Sequence, residues 1–417
     1  MSWPQVPFGD IANFRNGLNY SRENFGAGLK IISVGNFGSR FTPDFASLDE
    51  INPEGVAKGG DHLCDGDLLF VRSNGNRDLV GRVMLIQGIG DLAVGFSGFC
   101  IRARLTHPYT NPAFYAYLFR APFTRHRLTS GGVGVNIANV SQKTLGELIV
   151  PLPAKRDQEA ILAVLSAYDD MIATNQRCIA LLEDAARRLY REWFVHLRFP
   201  GHEQVDVKDG VPEGWQTPTL NDVCDAIGGG TPSTGRPEYW DGDVVWVTPT
   251  DVTRNDCLVL LDSEKKITDA GLANSSAKLV PPDTILMTSR ASIGFFALMD
   301  RPACTNQGFI SVIPMHEHSR MFLLFNLLGR VDEMISLATG ATFKEISKKT
   351  FRALPVIWPD ETLLELFESR VYPMIQQVRL IKKQNHQLAH ARNLLLPKLM
   401  SGQLDVSGIS LPEETTA

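Results

Sequence analysis

Asp251, Glu264 and Lys266 make a D…E-x-K pattern, the residue types that hold a divalent metal where a phosphodiester is cleaved. The triplet lies in DSEKKITD (262–269), a charge-dense run in which E-x-K arises by chance, and exposed charge is the expectation there. His316 and His318 flank Glu317 in PMHEHS (314–319), an i, i+2 clip with no third spaced ligand, which reads as polar surface. GIGDLA (88–93) follows the apolar run VMLI, but VGFSGF comes next and no acid stands about 20 residues on, so the dinucleotide fingerprint fails. GGVGVN (131–136) lacks the G-K-[ST] of a phosphate loop, and GFSGF (95–99) lacks the last glycine of a nucleophile elbow. A methyltransferase acting on adenine needs a cofactor loop and an N/D-P-P-Y/F stretch. Asn52-Pro53 and Asn111-Pro112 continue instead as Glu-Gly and Ala-Phe.

The totals suit a globular chain of more than one domain. At 417 residues it exceeds one ordinary core. With 44% hydrophobic and 21% charged residues and no long apolar run, no membrane span is expected. The start, MSWPQVPFGDIANF, has no signal-peptide pattern, so a cytoplasmic protein is expected. The six cysteines are scattered and read as reduced, structural thiols. A net charge of −5 argues against a protein that grips nucleic acid alone by a global positive field.

The elements that would position any site come in duplicate. VSQKTLGELIVPLP (140–153) returns as ISKKTFRALPVIWP (346–359). WPQVPFGDI (3–11) parallels WQTPTLNDV (215–223), KIISVGNF (30–37) parallels VVWVTPTD (244–251), and GDLLFVRS (66–73) parallels PDTILMTS (282–289). Two long copies make a tandem duplication rather than a solenoid. Each copy opens with short β-like runs broken by Gly, Pro, Asn and Asp, a mixed α/β domain, and closes on a long helical pattern. The expected division is 1–153, first domain; 154–197, first helix; 198–214, linker; 215–359, second domain; 360–406, second helix; and 407–417, a tail.

Ile161, Leu165, Tyr168, Ile172, Asn175, Ile179, Leu182, Ala186, Leu189 and Trp193 keep alternating steps of four and three, a heptad seam. Phe367, Val371, Met374, Val378, Ile381, Asn385, Leu388, Arg392 and Leu395 keep the same phase. Folded antiparallel about their centres, the helices place Asn175 opposite Asn385, a register-setting polar layer, since an orphan buried amide costs about 1–3 kcal/mol. Pro373 is expected to kink the second helix or delay its regular start.

GGGTPSTGRPEYWDGDVVWVTPTDV (228–252), TSRASIGFFAL (288–298), TNQGFISVIP (305–314) and TGATFKEISKKTFRALPVIWP (339–359) resemble the target recognition domain of specificity subunits of type I restriction–modification enzymes. LLEDAARRLYREWFV (181–195) and LLLPKLMSGQLDV (394–406) look like the ends of that family's two helical regions. The first domain departs in its variable stretches, RNGLNYSRENFGAG and VRSNGNRDLVGRV. The resemblance implies an α+β fold: two similar recognition domains held apart by two antiparallel coiled-coil helices with pseudo-two-fold symmetry. It further implies a subunit without catalysis or cofactor of its own that reads the two halves of a split site in double-stranded DNA. Two methyltransferase subunits that use S-adenosylmethionine, and a restriction and translocase subunit that uses ATP and Mg, are its implied partners. The runner-up classes are a stand-alone methyltransferase or nuclease and a non-reading structural adaptor.

Base readout uses Arg, Asn, Gln, Ser and Thr on anchored loops. In the second domain the candidates are Thr231, Ser233, Arg236, Tyr239, Thr250, Arg254, Ser289, Arg290, Asn306, Gln307, Thr342 and Lys344. In the first they are Asn19, Tyr20, Arg72, Ser73, Asn74, Arg77, Ser97 and Asn136, with Arg120, Arg125 and Arg127 as phosphate contacts. Trp240 and Trp246 are expected to be core rather than base-stacking. LYREWFVHLRF (189–199) and LLLPKLM (394–400) carry more apolar residues than one seam uses, a sign of partner docking.

Overall fold

The computed structural model describes residues 3–38, 41–57, 60–130, 139–340 and 343–409. It divides into two compact units, Met1–Asp170 with Leu388–Ala417, and Met171–Gln387.

In unit 1, β1 (Gln5–Pro7) pairs with the last strand of the domain. β2 (Ala12–Asn16), β3 (Phe25–Ile32), β4 (Asp49–Ile51), β5 (Leu68–Val71), β6 (Val83–Leu85), β7 (Val94–Phe96), β8 (Cys100–Leu105) and β9 (Ile149–Pro151) follow. They form a four-stranded sheet in the order β2-β8-β5-β6, a three-stranded sheet β4-β3-β7, and the β1-β9 pair. The run Leu68–Val71 is apolar throughout because both its faces are covered. Leu68 and Phe70 point into one core with Phe8, Tyr115 and Phe119, while Leu69 and Val71 point into another with Ile32, Met84 and Phe96.

Unit 2 opens with a linker hairpin, β10 (Val207–Lys208) against β11 (Val211–Pro212). It then repeats the plan with β12 (Cys224–Gly228), β13 (Trp240–Val247), β14 (Val259–Leu260), β15 (Lys265–Ile267), β16 (Ile285–Thr288), β17 (Phe296–Met299), β18 (Cys304–Thr305) and β19 (Phe309–Pro314). The sheets are β12-β19-β16-β17-β14 and β15-β13-β18, so β14 is an added edge strand. Both copies carry a bulge at the same place, between Phe25 and Leu29 in β3 and between Trp240 and Val244 in β13. In β16, Ile285 and Met287 enter the helix-side core and Leu286 the other, as Leu68, Phe70 and Leu69 do in β5.

The hydrogen bonds correct two of the sequence parallels by one residue. Lys30 corresponds to Val245, not Val244, and Ser73 to Arg290, not Ser289. A one-residue slip reverses the faces of a strand, so the pairing of sheet cores, rather than residue identity, decides it.

Lys155–Tyr190 is one α-helix that continues through a single π turn, Arg191–Val195; Glu361–Met400 is the other. In unit 2, Asn175 Nδ2 donates to Asn385 Oδ1 at 2.8 Å, as the antiparallel register requires. In unit 1, Asp169, about two turns before Asn175 in the sequence, accepts from Arg392, about two turns after Asn385, the same antiparallel register. Every seam position is buried or half-buried. The helical assignment runs unbroken through Pro373, which does not delay its start; the carbonyl it leaves without a donor belongs to exposed Ser369. The helices are bound to the domains by ions as well as apolar faces. Arg379 reaches Asp283 and, at 3.2 Å, Asp300, and Lys382 Nζ donates to the Val259 carbonyl at 2.9 Å. Each domain meets its helix through a Ser-capped turn, with Ser141 Oγ accepting from Thr144 N at 3.0 Å and Ser347 Oγ from Thr350 N at 3.1 Å.

Candidate nucleic-acid interface

The same four backbone hydrogen bonds frame one face of each domain. Leu18 N donates to Phe96 O at 2.8 Å, and Gly230 N to Thr305 O at 2.8 Å. Ser97 N donates to Ile32 O (2.9 Å) and Asn306 N to Val247 O (3.1 Å). Arg72 N donates to Phe99 O (2.8 Å) and Ser289 N to Gly308 O (2.7 Å); Val140 N donates to Arg72 O (2.8 Å) and Ile346 N to Ser289 O (3.0 Å). Gly17 and Gly229 let the strands close. A Cβ on Gly17 would sit 2.2 Å from the Ser97 carbonyl oxygen, and on Gly229 2.1 Å from that of Asn306.

In the first domain this frame encloses an open groove of about 900 Å³, lined by Leu18, Asn19, Tyr20, Ser33, Val34, Gly35, Ser73, Asn74, Gly75, Ser97, Gly98, Phe99 and Asn139. The groove gathers Asn19, Tyr20, Ser73, Asn74 and Ser97 from three stretches of sequence. Ser33, Phe99 and Asn139 are not among the sequence candidates; GFSGF (95–99) offers Ser97 and gives no signal for Phe99. Burial pushes the Tyr20 phenol up, against the lowering effect of its bond with Ser97, so it stays a neutral hydrogen-bonding group.

Residues 2–184 and 212–362 match the family model described as Type I restriction modification DNA specificity domain. This chain belongs to that family. It is 30% identical over 182 residues to the Type I restriction enzyme MjaIX specificity subunit of Methanocaldococcus jannaschii, which is 42% of each chain. It is 24% identical over 325 residues to the HindI specificity subunit of Haemophilus influenzae, 63% of this chain and 70% of that one. The chain thus spans under half the length of the MjaIX subunit. The crystal structure of the Type-I restriction-modification system S subunit from M. genitalium shares the fold at 15% identity, with 96% of each chain covered and a TM-score of 0.55.

Across this duplicated specificity domain the remaining candidates have varied fates. In the second copy Thr231 Oγ1 donates to Gln307 Oε1 at 2.6 Å, and Asn306 folds back to accept from Gly308 N at 2.9 Å. Arg290 lies 3.6 Å from Glu345, and Lys344 is exposed beside them. Ser289 is 2% exposed, so the one-residue correction takes its side chain off this face and puts Arg290 there. Arg236 pairs with Glu238 and lies over the Tyr239 ring, Arg254 is 3.9 Å from Glu264, and the Ser233 carbonyl receives the Trp240 indole N–H. Thr250 is exposed on the short helix Pro249–Thr253. Trp246 is buried and donates to the Gly230 carbonyl at 2.9 Å, a core role that also braces the groove frame.

The proposed phosphate contacts of the first domain are tied into its own fold. Arg120 stacks over Phe41, its guanidinium pKa lowered by burial; Arg125 donates to the Asp78 carbonyl at 2.7 Å and Arg127 to the Ile149 carbonyl at 3.2 Å. Arg77 is exposed on a 3-10 turn capped by Asn76, and Arg72 donates to the Gly98 carbonyl at 3.5 Å. Asn136 and Thr342 lie outside the described residues. Asp251, one of the residues with a possible metal pattern in the sequence, is consumed by capping: it accepts from Thr248 N and Oγ1 at 2.7 Å and from Glu264 N at 2.9 Å. Asn36 takes the same place in the first domain, accepting from Ser33 N at 2.7 Å, so the position asks for an acceptor rather than a charge. His316 packs on the Trp358 ring, centroids 5.3 Å apart. Among the described residues no three His, Cys, Asp or Glu side chains gather as a metal-holding group, and no helix is long and apolar enough to cross a membrane.

Proposed function

We propose that this chain is the DNA sequence-specificity subunit of a type I restriction–modification complex. Residues 1–153 and 215–359 each read one half of a bipartite, asymmetric site in double-stranded DNA. The two helices set the distance between the halves. The observation that carries this reading is one hydrogen-bonded frame built twice and lined differently each time. A shared frame with a private lining is what two related readers of unlike sequences need.

The chain acts without catalysis or cofactor of its own, in the cytoplasm. Two methyltransferase subunits supply S-adenosylmethionine chemistry, and a restriction and translocase subunit supplies ATP- and Mg-dependent cleavage. The capping role of Asp251 supports a non-catalytic chain. Exposed Val195, Leu181 and Leu394 on the helices supply apolar contact for the methyltransferase subunits.

Exchanging residues 1–153 for the first domain of another family member, then mapping methylated adenines in host DNA, is the test. One half-site changes and the other is kept. A change in both halves, or in neither, refutes modular reading. Because the chain carries a net charge of −5, its affinity for DNA alone is weak and rises when a methyltransferase subunit is added.

A further inference from the structure

The turn Gly98-Phe99 joins β7 to β8 at the groove of the first domain, and its Phe99 side chain is 62% exposed. The backbone there is held on every side. Phe99 O accepts from Arg72 N at 2.8 Å, Phe99 N donates to Ser97 Oγ at 3.3 Å, and Gly98 N donates to Leu18 O at 2.7 Å. A Cβ on Gly98 would lie 2.3 Å from Asn19 Oδ1, so a side chain there would displace the Asn19 amide from the groove. The ring has no aromatic partner among the described residues. A large apolar group displayed on a held turn, in a groove that also carries Leu18 and Val34 beside the amides and hydroxyls of Asn19, Ser73, Asn74 and Ser97, is preorganised for contact with something that is not water.

The second domain has Gly308 at this position. There a Cβ would lie 3.1 Å from Pro249 Cγ and 3.1 Å from Asn306 Oδ1, so that copy presents no ring at this position and leaves little space for one. The ring also sits on the wall of a concave groove. A side chain that wedges between stacked bases has to protrude past its surroundings into a base step, whereas one held on a groove wall meets base edges. On the edges of base pairs in the major groove, the one apolar feature is the thymine methyl group.

We propose that Phe99 reads the 5-methyl group of a thymine in the half-site served by the first domain. The proposal rests on the recognition reading above and adds to it one residue and one base.

The test uses the complex assembled with its methyltransferase subunits and duplexes carrying the mapped site. Each thymine is replaced in turn by deoxyuridine, which removes only the methyl group. At one thymine of the first half-site the wild-type complex binds about fourfold more weakly, the worth of about one buried methyl-sized group. Phe99→Leu keeps that sensitivity and Phe99→Ala loses it. Replacing thymines of the second half-site affects wild type and Phe99→Ala alike. Wild-type binding that ignores every thymine replacement in the first half-site, or a first half-site without a T·A pair, overturns the proposal. That measurement needs no variant to fold. If the domain exchange redirects one half-site while deoxyuridine goes unnoticed, Phe99 is excluded and the recognition reading stands; if the exchange redirects neither, the recognition reading itself fails.

Discussion

The first domain places Ser97, Gly98 and Phe99 where the second places Asn306, Gln307 and Gly308. The backbone hydrogen bonds on either side are the same to within a few tenths of an ångström. The first copy therefore fills its groove with an exposed ring, and the second with two amides, one tied to Thr231 and the other to its own turn. Conformation here is fixed by main-chain bonds and by glycines that admit no Cβ. Side chains facing the groove add only local caps, such as Ser97 on Phe99 N and Asn306 on Gly308 N, and the frame holds with either set. The contrast extends to the helix-side cores. That of unit 1 rests on aliphatic Ile161 and Leu165 of its long helix, and that of unit 2 on aromatic Tyr190, Trp193 and Phe367.

Phe367→Ala tests that second contrast hardest. Phe367 is fully buried against Trp193 and Phe194, and its removal lowers unfolding stability by about 3–5 kcal/mol, read by denaturant titration of the whole chain. Ile161→Ala, at the matching seam position, costs toward the lower part of the about 2–5 kcal/mol range. A larger loss at Ile161 would reverse the ranking of the two cores. The shared frame is next. Gly17→Ala and Gly229→Ala each push a methyl group into a carbonyl and cost about 1–3 kcal/mol, by similar amounts in the two domains. Unequal costs would break the equivalence of the frames. At the seam, Asn175→Leu alone leaves the Asn385 amide without its partner and costs about 1–3 kcal/mol, whereas joining it with Asn385→Leu recovers most of that loss. A double-mutant cycle without coupling would refute a register-setting pair.

The smallest effect concerns how each unit caps a domain helix from a long one. Gln158 Oε1 accepts from Asn111 N at 2.9 Å in unit 1, and Glu368 Oε2 from Met321 N at 2.8 Å in unit 2. Burial raises the Glu368 carboxyl above its ordinary value. The folded state then holds its proton more tightly than the unfolded state. Stability from this group is present at acid pH and declines as pH rises from the ordinary Glu value through the raised one. Glu368→Gln makes the second unit resemble the first and flattens that decline; an unchanged pH profile of unfolding would show that Glu368 titrates like a solvated carboxylate.

Much of the architecture is readable from the chain because it rests on local pattern. The heptad steps locate both helices, and one Asn in each seam is enough to predict a bond 210 positions apart. The strand parallels are found by residue type, but their register is not, because Ser73 and Ser289 look alike while their neighbours in the sheets differ. Loop residues are the least readable. Asp251, Asn74 and Asn76 accept backbone N–H groups of their own turns, a use that any polar residue in a turn can have. Arg120 and Arg125 read in the sequence only as a basic cluster; their contacts with the Phe41 ring and the Asp78 carbonyl, both distant in sequence, are not legible there. Phe99 goes unnoticed because an apolar residue in a turn gives no periodic signal.

The two units differ in how the ribosome delivers them. Unit 2 is a single uninterrupted stretch, Met171–Gln387, whereas the core of unit 1 closes only over Leu396, Leu399, Met400 and Val406. Synthesis therefore supplies every residue of the second unit while the first is still missing part of its apolar cover. The usual order, N-terminal domain finished first, is inverted. Until the last helix emerges, the first long helix keeps Ile161 and Leu165 on a core that still lacks the cover of Leu396, Leu399 and Met400.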